Sequence, residues 1–250
     1  MPFQTLKIFA TFLLSFAILA GCSSVLRDPT KSSQELLQEA QGYLKVNNYD
    51  DARIVLVQLL EDYPDSKERP TALLLRSEIR YREKEFEEAK FHFKQFLRQY
   101  PAHPQADRAL YLVGMSDFRL MDLETRDQTH ARAALETFER LVREYPKSPY
   151  RKKVLQRKSE ALDSLAKNQL EIGKFYFRTS SFQSAIPRFK ELLSKYPSQK
   201  YEHEIIFLLG ECYFNEQNFD SAKTYYIQLL KNHPRSEFVI VARARLRQIR

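Results

Sequence analysis

An alanine followed eleven residues later by Tyr-Pro or His-Pro occurs five times in this chain, at Ala52, Ala89, Ala134, Ala185 and Ala222. The closing residues are Tyr63, Tyr100, Tyr145, Tyr196 and His233. Four residues after each alanine stand Leu56, Phe93, Phe138, Phe189 and Tyr226. Seven and eight after it stand the apolar pairs Leu59-Leu60, Phe96-Leu97, Leu141-Val142, Leu192-Leu193 and Leu229-Leu230. Offsets of 0, 4, 7, 8 and 11 fall on one stripe of a 3.6-residue helix. The small alanine lets a neighbouring helix approach closely. The proline ends the helix, because it lacks an N–H and pushes the residue before it out of the α region. A unit this short cannot bury its stripe alone, so the copies must stack.

Each copy also carries a first helix. Tyr49, Phe86, Phe182 and Phe219 sit three residues before their alanine, where the second helix begins. Tyr43, Tyr176 and Tyr213 sit nine before it, on the first helix, with Arg80 in the second copy. Short polar turns such as "VNNYD" and "RTSSF" lie between the two. The unit of helix, turn, helix and Tyr-Pro resembles the tetratricopeptide repeat, with a generic helical hairpin such as HEAT as the alternative. The resemblance implies an all-α superhelical solenoid of about five hairpins over residues 33–250, with first helices lining a concave face.

The spacing is regular except around the third copy. Ala52 to Ala89 and Ala185 to Ala222 are 37 residues apart, whereas Ala89 to Ala134 is 45 and Ala134 to Ala185 is 51. The first excess is polar, "RLMDLETRDQTH", and predicts a loop near 121–130 with Asp127 or Thr129 as the following N-cap. The second excess falls in a stretch with no internal proline and predicts one lengthened first helix near 150–176.

The N-terminus reads differently. Lys7 precedes an apolar run from Ile8 to Ala20, the length of a secretory h-region and too short to span a bilayer as a mature helix. The run ends in "LAGC", which resembles a bacterial lipobox; an ordinary signal peptide with a chance cysteine is the alternative. The lipobox implies a signal peptide over 1–21, covalent lipid on Cys22 and a short linker over 22–32. Ser23 and Ser24 follow, with no Asp, as in lipoproteins passed to the outer membrane. No second apolar run of spanning length follows, so the remainder is expected in the periplasm at the inner face of the outer membrane. Cys212, the other cysteine, lies in "IIFLLGECYF" and reads as a small core residue.

The chemistry of catalysis is missing from the pattern. The histidines are His92, His103, His130, His203 and His233, and none pairs with Cys or carboxylate at metal-ligand spacing. No GxSxG, Walker or GxGxxG sequence occurs, and five glycines are too few for a phosphate cradle. No enzyme, metal or cofactor is expected. The net charge of +8 comes from 40 basic and 32 acidic residues interleaved along the chain. That pattern suits solvated helix faces, an acidic partner or an anionic membrane, and argues against nucleic acid.

Two stretches, "RDQTHARAALETFERLVREYPKSPY" and "LAKNQLEIGKFYFRTSSFQSAIPRFKELLSKYP", resemble the BamD family of outer-membrane β-barrel assembly lipoproteins. The similarity extends over roughly 35–235 and is strongest over 124–197. Departures are "SAIPRF", which puts Pro187 inside a helix, a very regular fifth copy and the basic ending "RARLRQIR". The resemblance implies a scaffold that docks on the POTRA domains of BamA, alongside other lipoproteins of the complex, and receives unfolded outer-membrane proteins. By that resemblance Arg188, Arg126 and Asp127 are candidate partner-binding residues. Arg76, Arg80, Tyr81, Arg108, Tyr111 and Phe118, on first helices, are candidates for a substrate-peptide groove. The alternative is another tetratricopeptide lipoprotein scaffold, such as a secretin pilotin or a cell-envelope coordinator.

Overall fold

The computed structural model describes residues 27–121, 127–196 and 199–249. All regular structure among them is helical: α1 Ser33–Lys45, α2 Tyr49–Asp62, α3 Arg69–Arg82, α4 Phe86–Gln99, α5 Ala106–Arg119, α6 Thr129–Glu144, α7 Arg151–Arg178, α8 Phe182–Lys195, α9 Gln199–Asn215, α10 Phe219–Asn232 and α11 Val239–Gln248. The chain divides into two compact units, the first ending at His103 and the second starting at Pro104. The first holds α1–α4 and the second α5–α11, and within each unit consecutive helices pack together. Cys22 lies outside the described residues, and so does Arg126.

The punctuation residues act as the sequence requires. Tyr63, Tyr100, Tyr145, Tyr196 and His233 are all C-caps, with φ between −126° and −131° and ψ between 58° and 69°. This non-helical geometry is what the following proline imposes. All five stripe alanines are fully buried. At the other end of the hairpin, Asn47, Lys84, Ser180 and Gln217 hold positive φ of 56° to 68°. Each stands five residues before its alanine, so four hairpins share one tight turn with a left-handed residue, supplied without glycine.

Glycine is placed where first and second helices come closest. A Cβ on Gly114, Gly173 or Gly210 would lie 2.6, 2.4 and 2.6 Å from the rings of Phe138, Phe189 and Tyr226. Those rings are the residues four beyond the stripe alanine. Gly173 and Gly210 precede their alanines by twelve residues, as Ala40 and Ser77 do in the first two hairpins. Gly114 precedes Ala134 by twenty, so the eight extra residues of that copy lie between its two helices.

The structure departs from expectation at the start of α6. The N-cap is Gln128, which makes no side-chain capping bond. Asp127, one residue earlier, accepts from the backbone N–H of Thr129 at 3.1 Å and its hydroxyl at 2.8 Å. The carboxylate therefore serves the first turn from outside the cap position, and these bonds hold it below the usual carboxylate range. Pro187 lies inside α8, as the sequence places it, and the helix is continuous from Phe182 to Lys195 with Pro187 exposed. The chain ahead of α1 is fastened down: Gln58 and Tyr63 donate to the carbonyls of Asp28 and Lys31 at 2.7 Å each.

Helix α7 spans 28 residues, twice the 14 of α3 and α5. Its first half belongs to the third hairpin, with Lys158 paired to Glu139 at 2.9 Å and Arg157 lying 5.2 Å over the Phe118 ring. Its second half belongs to the fourth, where Ala166 and Leu170 share a core with Ala185, Phe189, Leu192, Leu209 and Cys212. The long helix thus acts as a common wall for two hairpins.

Candidate functional site

In the first unit, Arg76 and Arg80 stand one turn apart on α3, both half-buried. Arg80 pairs with Glu85 at 2.7 Å, whereas Arg76 has no ion pair among the described residues. Arg76 lines a small cleft with Leu73, Ser77, His92, Gln95 and Phe96. His92 is pushed below the ordinary imidazole range, first by burial and then by the Arg80 and Arg76 guanidiniums, so its ring is neutral at neutral pH. The cleft therefore offers guanidinium and amide donors with no carboxylate among its lining residues. Such a wall suits carbonyl or carboxylate oxygens of an extended peptide.

Tyr81 belongs to a different feature. It packs edge-on against Phe86 at 5.3 Å, and Phe177–Phe182 and Phe214–Phe219 repeat the arrangement at 5.6 and 5.7 Å. These pairs close the tight turns of their hairpins. Phe118 occupies the matching place in the third hairpin, where the longer connection leaves it against Phe138, beneath Arg157.

In the second unit, Tyr111 stacks on Tyr150 at 4.6 Å with the rings 12° from parallel. Asp107 accepts from the Ser148 hydroxyl at 2.7 Å, and its other oxygen takes the backbone N–H of Arg108. The "YPKSPY" motif thereby acquires a physical role, since Ser148 and Tyr150 pin the turn between α6 and α7 onto α5. The sequence candidates thus separate: Arg76 lines the cleft and Arg80, one turn away, is paired with Glu85, whereas Tyr81, Tyr111 and Phe118 are engaged in ring packing.

Arg188 is exposed on α8 and makes no ion pair or hydrogen bond to a described residue. Its charge adds to that of Lys195 in holding Glu191 below the usual carboxylate range. No hydrogen bond or ion pair links it to Asp127.

A buried network was not foreseen from sequence. Glu211, only 7% exposed, accepts from the Tyr226 hydroxyl and from Nε and Nη2 of Arg245, the last two at 3.0 and 2.9 Å. Arg245 also lies 4.4 Å over the Phe214 ring. Burial and then the Glu211 hydrogen bond drive the Tyr226 phenol far upward, so it remains a donor. The fork fastens α11 to the fifth hairpin. Its one sequence signal is a tyrosine where the other copies carry Phe or Leu.

Residues 29–226 match the YfiO family, described as outer membrane lipoprotein. The chain belongs to the YfiO outer membrane lipoprotein family. Relatives of this YfiO-family chain include the outer membrane protein assembly factor BamD of Haemophilus influenzae, 31% identical over 217 residues, covering 82% of this chain and 83% of that protein. BamD of Pasteurella multocida is 27% identical, covering 83% and 84%, and that of Neisseria gonorrhoeae 27%, covering 81% and 82%.

Proposed function

We propose that this YfiO-family lipoprotein is an outer-membrane protein assembly factor of the BamD kind. The observation that carries the reading is similarity to BamD proteins across about four-fifths of both chains, reaching 31% identity. In this reading lipid on Cys22 holds the protein at the periplasmic face of the outer membrane. The second unit docks on POTRA domains of BamA through Arg188 and the Arg126–Asp127 segment, with other lipoproteins of the assembly complex nearby. The first unit takes extended segments of unfolded outer-membrane proteins along the cleft lined by Arg76, with Arg80 one turn away. The role is that of a scaffold, with no chemical step.

Physical support comes from the two arginines. A guanidinium without an internal partner, exposed at Arg188 and half-buried at Arg76, is free to form a two-pronged pair with a carboxylate on another chain. The test is affinity purification of the membrane-solubilised protein, with identification of the barrel that accompanies it. Recovery of BamA is expected. Recovery of a secretin in its place would overturn the reading in favour of a pilotin.

A further inference from the structure

Apart from the basic ending, the charges of this chain are interleaved with one exception, which the repeat itself exposes. From six to nineteen residues beyond Ala134 lie Arg140, Arg143, Lys147, Arg151, Lys152 and Lys153, against Glu144 as the sole carboxylate. The same window beyond each of the other four alanines holds two Lys or Arg and between one and four carboxylates. Those four windows contain the same helix end, proline and turn, so the fold does not require the charge. Stability argues against it as well, since Arg151, Lys152 and Lys153 occupy the first turn of α7, where the helix dipole disfavours cations.

All six cations are exposed. Arg140 and Arg143 share Glu144, at 2.9 and 3.7 Å. Lys147, Arg151, Lys152 and Lys153 have no ion pair among the described residues. The corner that displays them is held firmly: Ser148 is bonded to Asp107, and Tyr150 is stacked on Tyr111. Leu155, 40% exposed, stands one half-turn further along.

The geometry points to an anionic phospholipid surface as the ligand of this corner. The charges lie on both sides of an interhelical turn, half of them lysines, which are point charges without a planar fork. An exposed leucine beside such a cluster is the composition that settles at a headgroup layer, apolar side in and cations against phosphate. The inference rests on the reading that lipid on Cys22 brings the chain to the bilayer. Lipid and polybasic corner would then form a two-signal attachment that also orients the second unit. Each cation near an anionic leaflet strengthens association roughly fivefold, with the effect screened at high salt.

The test uses the full detergent-purified chain, with a dye at Gln156→Cys and energy transfer to headgroup-labelled vesicles. Cys212 is buried and does not compete for the label. Transfer is expected to rise several-fold from phosphatidylcholine to phosphatidylcholine–phosphatidylglycerol vesicles and to collapse in about 0.5 M salt. Adding Arg151→Glu, Lys152→Glu and Lys153→Glu should abolish that rise, with a melt no lower than the parent's because carboxylates suit the first turn of α7. Equal transfer on both vesicles overturns the inference. So does a triple variant that keeps the difference, or one that loses only a protein partner, which would assign the corner to an acidic protein surface. Failure of the chain to stay on neutral vesicles would instead refute the Cys22 anchor, and the anionic-vesicle comparison would still decide the corner.

Discussion

Replacing Gly173 by alanine isolates the contact on which the fourth hairpin depends. In an exposed helix, glycine to alanine is stabilising by about 1 kcal/mol. Gly42 in α1 provides that reference, because a Cβ there meets nothing within 4 Å. At Gly173 the new methyl would stand 2.4 Å from Cε1 and 2.8 Å from Cδ1 of Phe189. Carbon atoms settle at about 3.5–4.0 Å, so the ring must retreat by about 1 Å. It cannot do so freely, since Phe189 is fully buried among Leu170, Leu192 and Leu209. Overpacking of this kind costs about 1–3 kcal/mol. The helix gain is common to both sites, so Gly173→Ala should be less stable than Gly42→Ala by about 1–3 kcal/mol. Urea melts of the two variants measure this difference directly. Adding Phe189→Leu should recover part of the loss at Gly173, because it removes the ring atoms that the methyl meets. If Gly173→Ala stabilises as much as Gly42→Ala, the argument for close helix approach is wrong.

Arg188→Glu should weaken co-purification with BamA while leaving helical content and melting unchanged, and undiminished recovery would remove Arg188 from the docking surface. Arg245→Ala leaves the buried Glu211 carboxylate without its fork. It should cost about 2 kcal/mol, less than a fully buried pair because Arg245 is about one-third exposed. Hydrogen exchange should accelerate in α11 with α1–α4 unaffected; protection equal to that of the parent would refute the latch. Burial pushes the Cys212 thiol up from 9.0 to about 12. The folded state then favours the neutral thiol, so its contribution to stability is full below about pH 9 and falls as pH rises from 9 toward 12. Ellman's reagent should therefore react with Cys212 only after denaturation, and rapid labelling of the folded chain at pH 8 would contradict the burial.

The sequence by itself determined the repeating unit. Alanine, aromatic and proline at fixed offsets are local demands on one helix, and periodicity carries them without knowledge of the neighbours. The same logic located the lengthened helix, because fourteen additional residues without proline have no local reason to stop. What a side chain touches is another matter. Tyr81, Tyr111 and Phe118 are groove candidates in a linear reading, and only the structure shows that each is engaged by a ring or guanidinium from another helix or across a turn. The capping role of Asp127 depended on where the chain enters α6, and one residue of register moved the cap to Gln128. Glu211, Tyr226 and Arg245 are up to 34 residues apart, and only the docking of α11 on the fifth hairpin turns them into one buried network. Periodicity is a property of one helix, whereas a partner is decided by the packing of several.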